Sequence, residues 1–268
     1  MSFDEVKGQV RAAWSVGDYS ALASVLEPAA ASLVDACAVS AGQEVLDVGA
    51  GSGNFAVFAA REGASVVASD LTPAMVELGR DRCASEGLDV EWVEADVEDL
   101  PFPDQSFECV GSVFGAMFAP SPQAAASEMF RVVRPGGTVG MANWTPDGFQ
   151  GRLFDVQNAY RPPQPEGAAR PLDWGDEAVV RERFEDLAAT LEVSRPTVPW
   201  RFDSAEAMWE FFAENAGPLV LARKALPPDR FEAMRSDALA FVAEWTGQPS
   251  GPIDIDAEYL LVVARRRG

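Results

Sequence analysis

Glu44-Val45-Leu46-Asp47-Val48-Gly49-Ala50-Gly51-Ser52-Gly53-Asn54-Phe55-Ala56 reads as an apolar strand, a glycine-packed turn and the start of an amphipathic helix. Glycines at alternate positions let the backbone bend sharply and leave no Cβ to block a ligand pressed against it. That strand–loop–helix order is the layout of a nucleotide-binding crevice. The spacing is Asp-x-Gly-x-Gly-x-Gly, however, and not Gly-x-Gly-x-x-Gly. A dinucleotide site keeps its helix N-terminus bare, because the pyrophosphate rests on the free N–H groups and the positive end of the dipole. Here the last glycine comes one residue early and Asp47 precedes the loop. A carboxylate at that point repels phosphate but can hold an ammonium group, directly or through water.

Working outward, Ala64-Ser65-Val66-Val67-Ala68-Ser69-Asp70 is a second apolar strand ending in an acid. An acidic residue about 20 residues beyond the loop accepts hydrogen bonds from ribose hydroxyls. Thr72 as N-cap and Pro73 at the first helical position open a helix that closes at Gly87. A third strand over 88–93 leads into Glu94-Ala95-Asp96-Val97 and then Leu100-Pro101-Phe102-Pro103-Asp104-Gln105-Ser106-Phe107. Phe107-Glu108-Cys109-Val110 opens strand four, whose carboxyl end is Ser112-Val113-Phe114-Gly115-Ala116-Met117-Phe118, where ligands bind in open α/β sheets. A helix over 122–133 and the turn Arg134-Pro135-Gly136-Gly137 lead to strand five, 138–143. Strands alternating with helices predict a parallel sheet covered on both faces.

Five ordered motifs across roughly residues 40–146 resemble those of the class I S-adenosylmethionine-dependent methyltransferases, in particular the small-molecule group related to ubiquinone and menaquinone biosynthesis. The resemblance implies a Rossmann-like, doubly wound α/β fold with a seven-stranded sheet whose last strand is antiparallel, an N-terminal helical segment and helical cap insertions. It implies S-adenosyl-L-methionine as cofactor and S-adenosyl-L-homocysteine as product. In that family an Asp placed like Asp96 accepts from the adenine amino group. Carried over residue by residue, the cofactor contacts would be Asp47, Gly49, Ala50, Gly51, Asn54, Asp70, Leu71, Met75, Asp96, Val97, Ser112 and Val113. One departure stands out: many members have Phe-Asp-x-Val where this chain has Phe107-Glu108-Cys109-Val110, and Glu108 is given no chemical role.

Composition limits the substrates. At 268 residues the chain can bury a large core. A net charge of −21 repels phosphate backbones and anionic membranes, so neither a nucleic acid nor a membrane surface is expected as partner. No apolar run approaches the ~18–20 residues that span a bilayer, and no signal-peptide core opens the chain. Cys37, Cys83 and Cys109 are widely spaced and read as reduced, buried thiols of a cytoplasmic protein. With no histidine and no paired cysteine spacing, no metal site is expected. A monomer and a homodimer both stay open.

Outside the core, Ser2 and Glu5 suggest a capping box for a helix reaching about Trp14, followed by a break at Gly17-Asp18-Tyr19 and a second helix over 28–38. In related enzymes such a segment, here 1–40, folds over the cofactor, which makes Trp14 and Tyr19 candidate contacts. Residues 41–146 would be the cofactor-binding core and 147–268 would complete the sheet. Within the latter, 146–175 reads as a long loop or lid bearing Arg152, Arg161 and Arg170. A helix over 176–189, strands over 190–202 and 255–266, and substrate-cap helices near 205–215 and 228–245 within 203–252 follow. Trp144, Trp174, Trp200, Trp209 and Trp245 fall in these additions and suit either an apolar pocket for a hydrophobic or aromatic substrate or ordinary core.

Three function classes follow: a small-molecule methyltransferase, favoured; a protein with the same cofactor pocket that does not methylate or catalyses a different reaction; and a nicotinamide-dependent oxidoreductase, disfavoured by the glycine spacing and Asp47. No side chain is marked as catalytic. Without histidine, any base must be Asp, Glu, Tyr or Lys.

Overall fold

The computed structural model describes residues 3–161 and 169–268, so Ser2 and part of the 146–175 segment lie outside the described residues. Its sheet has the order β3-β2-β1-β4-β5-β8-β6, with β7 paired to β8. The strands are β1 (Glu44–Val48), β2 (Ser65–Asp70), β3 (Val90–Glu94), β4 (Phe107–Val113), β5 (Val133–Trp144), β6 (Ala188–Ser194), β7 (Thr197–Phe202) and β8 (Ile253–Arg266). The first five are mutually parallel, and β8 runs antiparallel to β5, β6 and β7. In β1, Val45 through Val48 are all buried, the near-continuous apolar run expected of a parallel strand covered on both faces.

Ten helices flank or cap the sheet among the described residues: α1 (Phe3–Trp14), α2 (Tyr19–Cys37), α3 (Asn54–Arg61), α4 (Pro73–Ser85), α5 (Pro122–Val132), α6 (Phe149–Asn158), α7 (Glu177–Phe184), α8 (Ala205–Asn215), α9 (Gly217–Ala225) and α10 (Pro228–Thr246). Strand order reverses between β1 and β4, so the glycine loop after β1 and the segment after β4 face one crevice.

Several elements differ from the sequence expectation. Among the described residues the sheet has eight strands, because the expected strand 190–202 divides at Arg195-Pro196 into β6 and β7. Both halves keep one alignment against β8, with Ser194 opposite Leu261 and Thr197 opposite Glu258. Proline has no N–H to donate, and its carbonyl still accepts from the Tyr259 N–H at 3.0 Å. The second helix begins at Tyr19 and not at 28, since the Asp18 side chain accepts from the Ser20 and Ala21 N–H groups and caps it, leaving Pro28 inside. Helix α6 stands where a loop was expected, driven by burial of Phe149, Gly151 and Leu153. Helix α9 starts on Gly217-Pro218, with the proline in its first turn.

Contrary to the hydropathy reading, α2 is long and apolar enough to cross a membrane, at 19 residues and mean hydropathy 1.2. Its apolarity has a local outlet: Ala29, Ala30, Leu33, Val34 and Cys37 are buried in the fold, and Leu33 and Cys37 lie against Gly140 of β5. Glu108 has a structural task at the opposite end of the strands. Its carboxylate accepts from the Glu44 N–H at 2.6 Å and pairs with Arg134, tying the starts of β1 and β4 to Arg134-Pro135-Gly136-Gly137, which form the irregular start of β5 and not a separate turn before it. Cys37, Cys83 and Cys109 are buried free thiols.

Gly111 in the centre of β4 is where α3 presses closest, because a Cβ there would enter the Phe55 ring. Gly111→Ala is therefore expected to destabilise the fold by about 1–3 kcal/mol. Urea unfolding would measure it, and an unchanged midpoint would show that Phe55 can yield.

Candidate active site

The crevice is built from strand ends. At the end of β1, Asp47 is almost wholly buried, and its Oδ2 accepts the Ala56 N–H at 3.0 Å in the first turn of α3. Its Oδ1 is buried and has no partner. Burial pushes this carboxyl well above the usual carboxylate range; the Ala56 N–H opposes that shift, and neighbouring Asp70 adds to it. A buried acceptor without a donor costs about 1–3 kcal/mol. Such a cost is tolerated where a ligand relieves it.

The three loop glycines all have positive φ, at 59°, 56° and 85° for Gly49, Gly51 and Gly53, yet they do different things. Gly49 packs backbone to backbone on Gly115 after β4, where a Cβ would come within 2.9 Å of the Gly115 carbonyl carbon. Gly53 lies against the Trp92 ring. Only at Gly51 would a Cβ point into open space. Asp70, at the end of β2, fixes this part of the loop: Oδ2 accepts the Gly51 N–H at 2.9 Å and Oδ1 the Thr72 N–H at 2.8 Å. Burial raises its pKa too, against those two hydrogen bonds.

Beside β4, the Ser112 hydroxyl donates to the Val48 carbonyl at 2.8 Å and accepts the Ala116 N–H at 2.9 Å. It staples the ends of β1 and β4 together. Phe114 follows with φ of 56°, stacked on Trp144 at 3.9 Å with Tyr259 edge-on. Of the remaining expected contacts, Met75 is buried, while Ala50, Leu71, Val97 and Val113 are half-buried.

Other expected residues have protein partners. Asp96 carries an ion pair from Lys7 of α1 at 2.5 Å, and Lys7 also reaches Glu98 at 2.6 Å. The Asn54 side chain donates to the Ala23 carbonyl and accepts from Arg82, so it faces α2. The Tyr19 hydroxyl accepts the Gly217 N–H at 2.8 Å and donates to the Ala13 carbonyl at 3.5 Å, and it lies near enough to Asp70 for their charges to interact. Burial drives its pKa far up, so it stays protonated at neutral pH. Trp14 lies 5.5 Å from the Tyr19 ring and 5.0 Å from Phe118.

Sequence reasoning missed Arg82, which joins the Ser52 carbonyl, Asn54 and Glu27 and so anchors the loop to α2 and α4. An arginine in a polar helix carries no signal for that. It also missed Lys7, whereas Phe114 and Gly115 fall within the 112–118 stretch read as the ligand-facing end of strand four. Trp144, Trp174, Trp200 and Trp209 are buried core, and Trp245 is exposed beside Phe149 and Phe241. Arg152 is exposed, Arg161 half-buried and Arg170 exposed near Asp155.

An orphaned buried carboxylate oxygen, a fixed second carboxylate and open space over Gly51 fit a ligand that brings a cation and hydroxyl donors but no phosphate.

Comparisons with known proteins agree. Residues 45–137 match the family described as "Methyltransferase domain". The uncharacterized protein Rv1405c of Mycobacterium tuberculosis is 38% identical over 259 residues, covering 96% of this chain and 94% of that one. A demethylmenaquinone methyltransferase of Clavibacter sepedonicus is 42% identical over 99 residues, 37% of this chain and 40% of its own. A putative methyltransferase structure from Bacillus halodurans shares the fold, with TM-score 0.63 and 21% identity over 89% of this chain and 99% of that one.

Asp47 provides a test of the geometry. Its raised pKa means that its contribution to stability is complete below the unfolded carboxylate value of about 3.9 and is lost as pH rises through the folded value. Asp47→Asn keeps an acceptor for Ala56 and removes the buried charge, so it should exceed the wild type in stability by about 1–3 kcal/mol above neutral pH. The gap should close toward about pH 4. Urea unfolding across pH measures it, and a pH-independent difference would contradict the burial argument.

Proposed function

Because the chain belongs to the class I S-adenosylmethionine-dependent methyltransferases of the small-molecule type, we propose that it methylates an oxygen, nitrogen or carbon atom of a small organic substrate. The observation that carries the reading is the buried, unpartnered Oδ1 of Asp47 in β1, taken with the open space at Gly51 in the loop that follows. In this reading Asp47 holds the ammonium of the cofactor's amino-acid tail, directly or through water. Asp70, with both oxygens already oriented by backbone N–H groups, offers its remaining lone pairs to the ribose hydroxyls. Asp96 serves the adenine amino group, and Ala50, Leu71, Met75, Val97 and Val113 supply apolar walls.

When bound, the cofactor supplies an electrophilic methyl group on a sulfonium leaving group. The chain's own share is placement and exclusion of water; alignment of this kind is worth up to ~7–11 kcal/mol. Tyr19, held protonated by burial, is not a base. A nucleophile that arrives ionised, or one that is carbon in an electron-rich ring, needs none.

The substrate is apolar or aromatic in this proposal. Trp14 packs on Tyr19 and on Phe118 just beyond the carboxyl end of β4, and these rings would offer the aromatic faces. Residues 1–40 act as lid, 41–146 as cofactor-binding core and 147–268 as the part that completes the sheet, with 203–252 as substrate cap. The net charge of −21 argues against nucleic-acid substrates and accords with work in the cytoplasm.

Two measurements test this reading. Gly51→Val places a branched side chain in the open space, with added backbone strain because φ there is 56°, and should abolish binding of S-adenosylhomocysteine in a calorimetric titration, with circular dichroism showing that the fold persists. Wild-type affinity in that variant removes the loop as the site. Asp70→Ala should weaken the same ligand by about 1–3 kcal/mol, the range for one or two charge-assisted hydrogen bonds. A screen with methyl-labelled cofactor against phenols, amines, carboxylic acids and polyketide-like compounds then separates transfer from binding alone. Binding with no label transferred to any class would favour the non-methylating reading.

A further inference from the structure

Helix α1 is fastened at several points along its length. In its middle, the Lys7 ammonium lies 2.5 Å from Asp96 and 2.6 Å from Glu98, and in its last turn Arg11 lies 3.1 Å from Glu94. Near its finish, Trp14 packs on Phe118 beyond β4. The helix is therefore tied both to the end of β3 with the segment after it and to the segment that follows β4. Lys7 and Glu98 are only 21% and 8% exposed, so water and salt screen their pairing less than at an open surface.

The turn after α1 is joined to the cap with no side chain between the two backbones. A Cβ on Gly17 would overlap the Asn215 carbonyl oxygen at the end of α8, and one on Gly217, at the start of α9, would overlap the Ala13 carbonyl oxygen. The Gly217 N–H donates to the Tyr19 hydroxyl at 2.8 Å. That hydrogen bond ties Gly217 to the first residue of α2, while the close backbone contacts of Gly17 with Asn215 and of Gly217 with Ala13 mean that lifting α1 disturbs residues 215–217 as well.

We propose that α1 and the cap helices α8 and α9 form one gate over the cofactor crevice, latched by the ion pairs of Lys7 with Asp96 and Glu98. The proposal rests on the reading of Asp96 as a cofactor contact. A ligand that donates to Asp96 competes with the Lys7 ammonium for the same carboxylate, so its arrival loosens the latch. Because α1 is joined to α8 and α9, the cap over the substrate side loosens in the same event. Cofactor entry and substrate access are thereby coupled, with Lys7 as a positioning residue that touches neither reacting atom.

Hydrogen exchange of the full chain without ligand, compared between wild type and Lys7→Gln, tests the latch and the coupling. Exchange should rise about five-fold in α1 on loss of a partly buried ion pair, and residues 217–225 should follow α1. Raising the salt concentration should move the wild type in the same direction. Stopped-flow binding of S-adenosylhomocysteine should show a faster association rate for Lys7→Gln. Three results would overturn the proposal: unchanged exchange in α1, faster exchange in α1 with residues 217–225 unmoved, or a loosened α1 with an unchanged association rate. Failure of the wild type itself to bind S-adenosylhomocysteine is a separate outcome. It would remove the cofactor reading and with it the gating of that ligand, while the exchange comparison still decides whether the latch and the joined helices exist.

Discussion

Gly49 and Gly115 pack backbone to backbone, and much of the crevice depends on that contact. Parallel strands β1 and β4 share a hydrogen-bonded ladder, but their loops diverge beyond it to opposite neighbours, since the strand order reverses between them. Two glycines allow those loops to touch backbone to backbone, and the Ser112 hydroxyl bridges the Val48 carbonyl and the Ala116 N–H beside them. With that point fixed, Gly51 can be held by Asp70 alone and still leave its outer side clear. A larger residue at either contact position would part the strand ends and spread the crevice. The packing of the loops is thus also the tolerance of the site.

The acids around this point show how the fold accepts local instability for a function. Asp47 and Asp70 are buried, Asp70 adds to the cost of charging Asp47, and Asp47 leaves one oxygen unpartnered. An apolar core would be more stable with neither. Each nevertheless has a supporting structural partner, Ala56 for the first and Gly51 with Thr72 for the second, which keeps the geometry set before any ligand arrives.

The parallel strands, the glycine loop and the strand-end acids were legible from residues, because local rules govern them: a buried parallel strand is apolar, a tight turn takes glycine, and an acid ends the strand. Phe55 and Gly111 belong to that pattern although their fit is tertiary. The start of α2 was not legible, because Pro28 imitates a first-turn residue and the Asp18 cap is distant from it. Helix α6 was hidden by the Pro, Gly and Arg around it, and its stability comes from Phe149 against Trp200 and Phe241. Arg82, Lys7 and Glu108 were illegible for a different reason. A charged side chain shows nothing of its partner when that partner is far away in sequence, as with Lys7 and Asp96 or Arg82 and Glu27.

The divided edge formed by β6 and β7 has a consequence for the life of the protein in a crowded solution. A sheet border offers unpaired peptide groups to any passing strand, and an unbroken one can recruit neighbours into aggregates. Here Pro196 interrupts that border and Pro199 removes another donor, while Glu192, Arg195 and Arg201 place charge along it. A foreign strand would meet gaps in its hydrogen bonding and charges that must be desolvated. The proline that splits the strand is therefore also a guard against unwanted self-association.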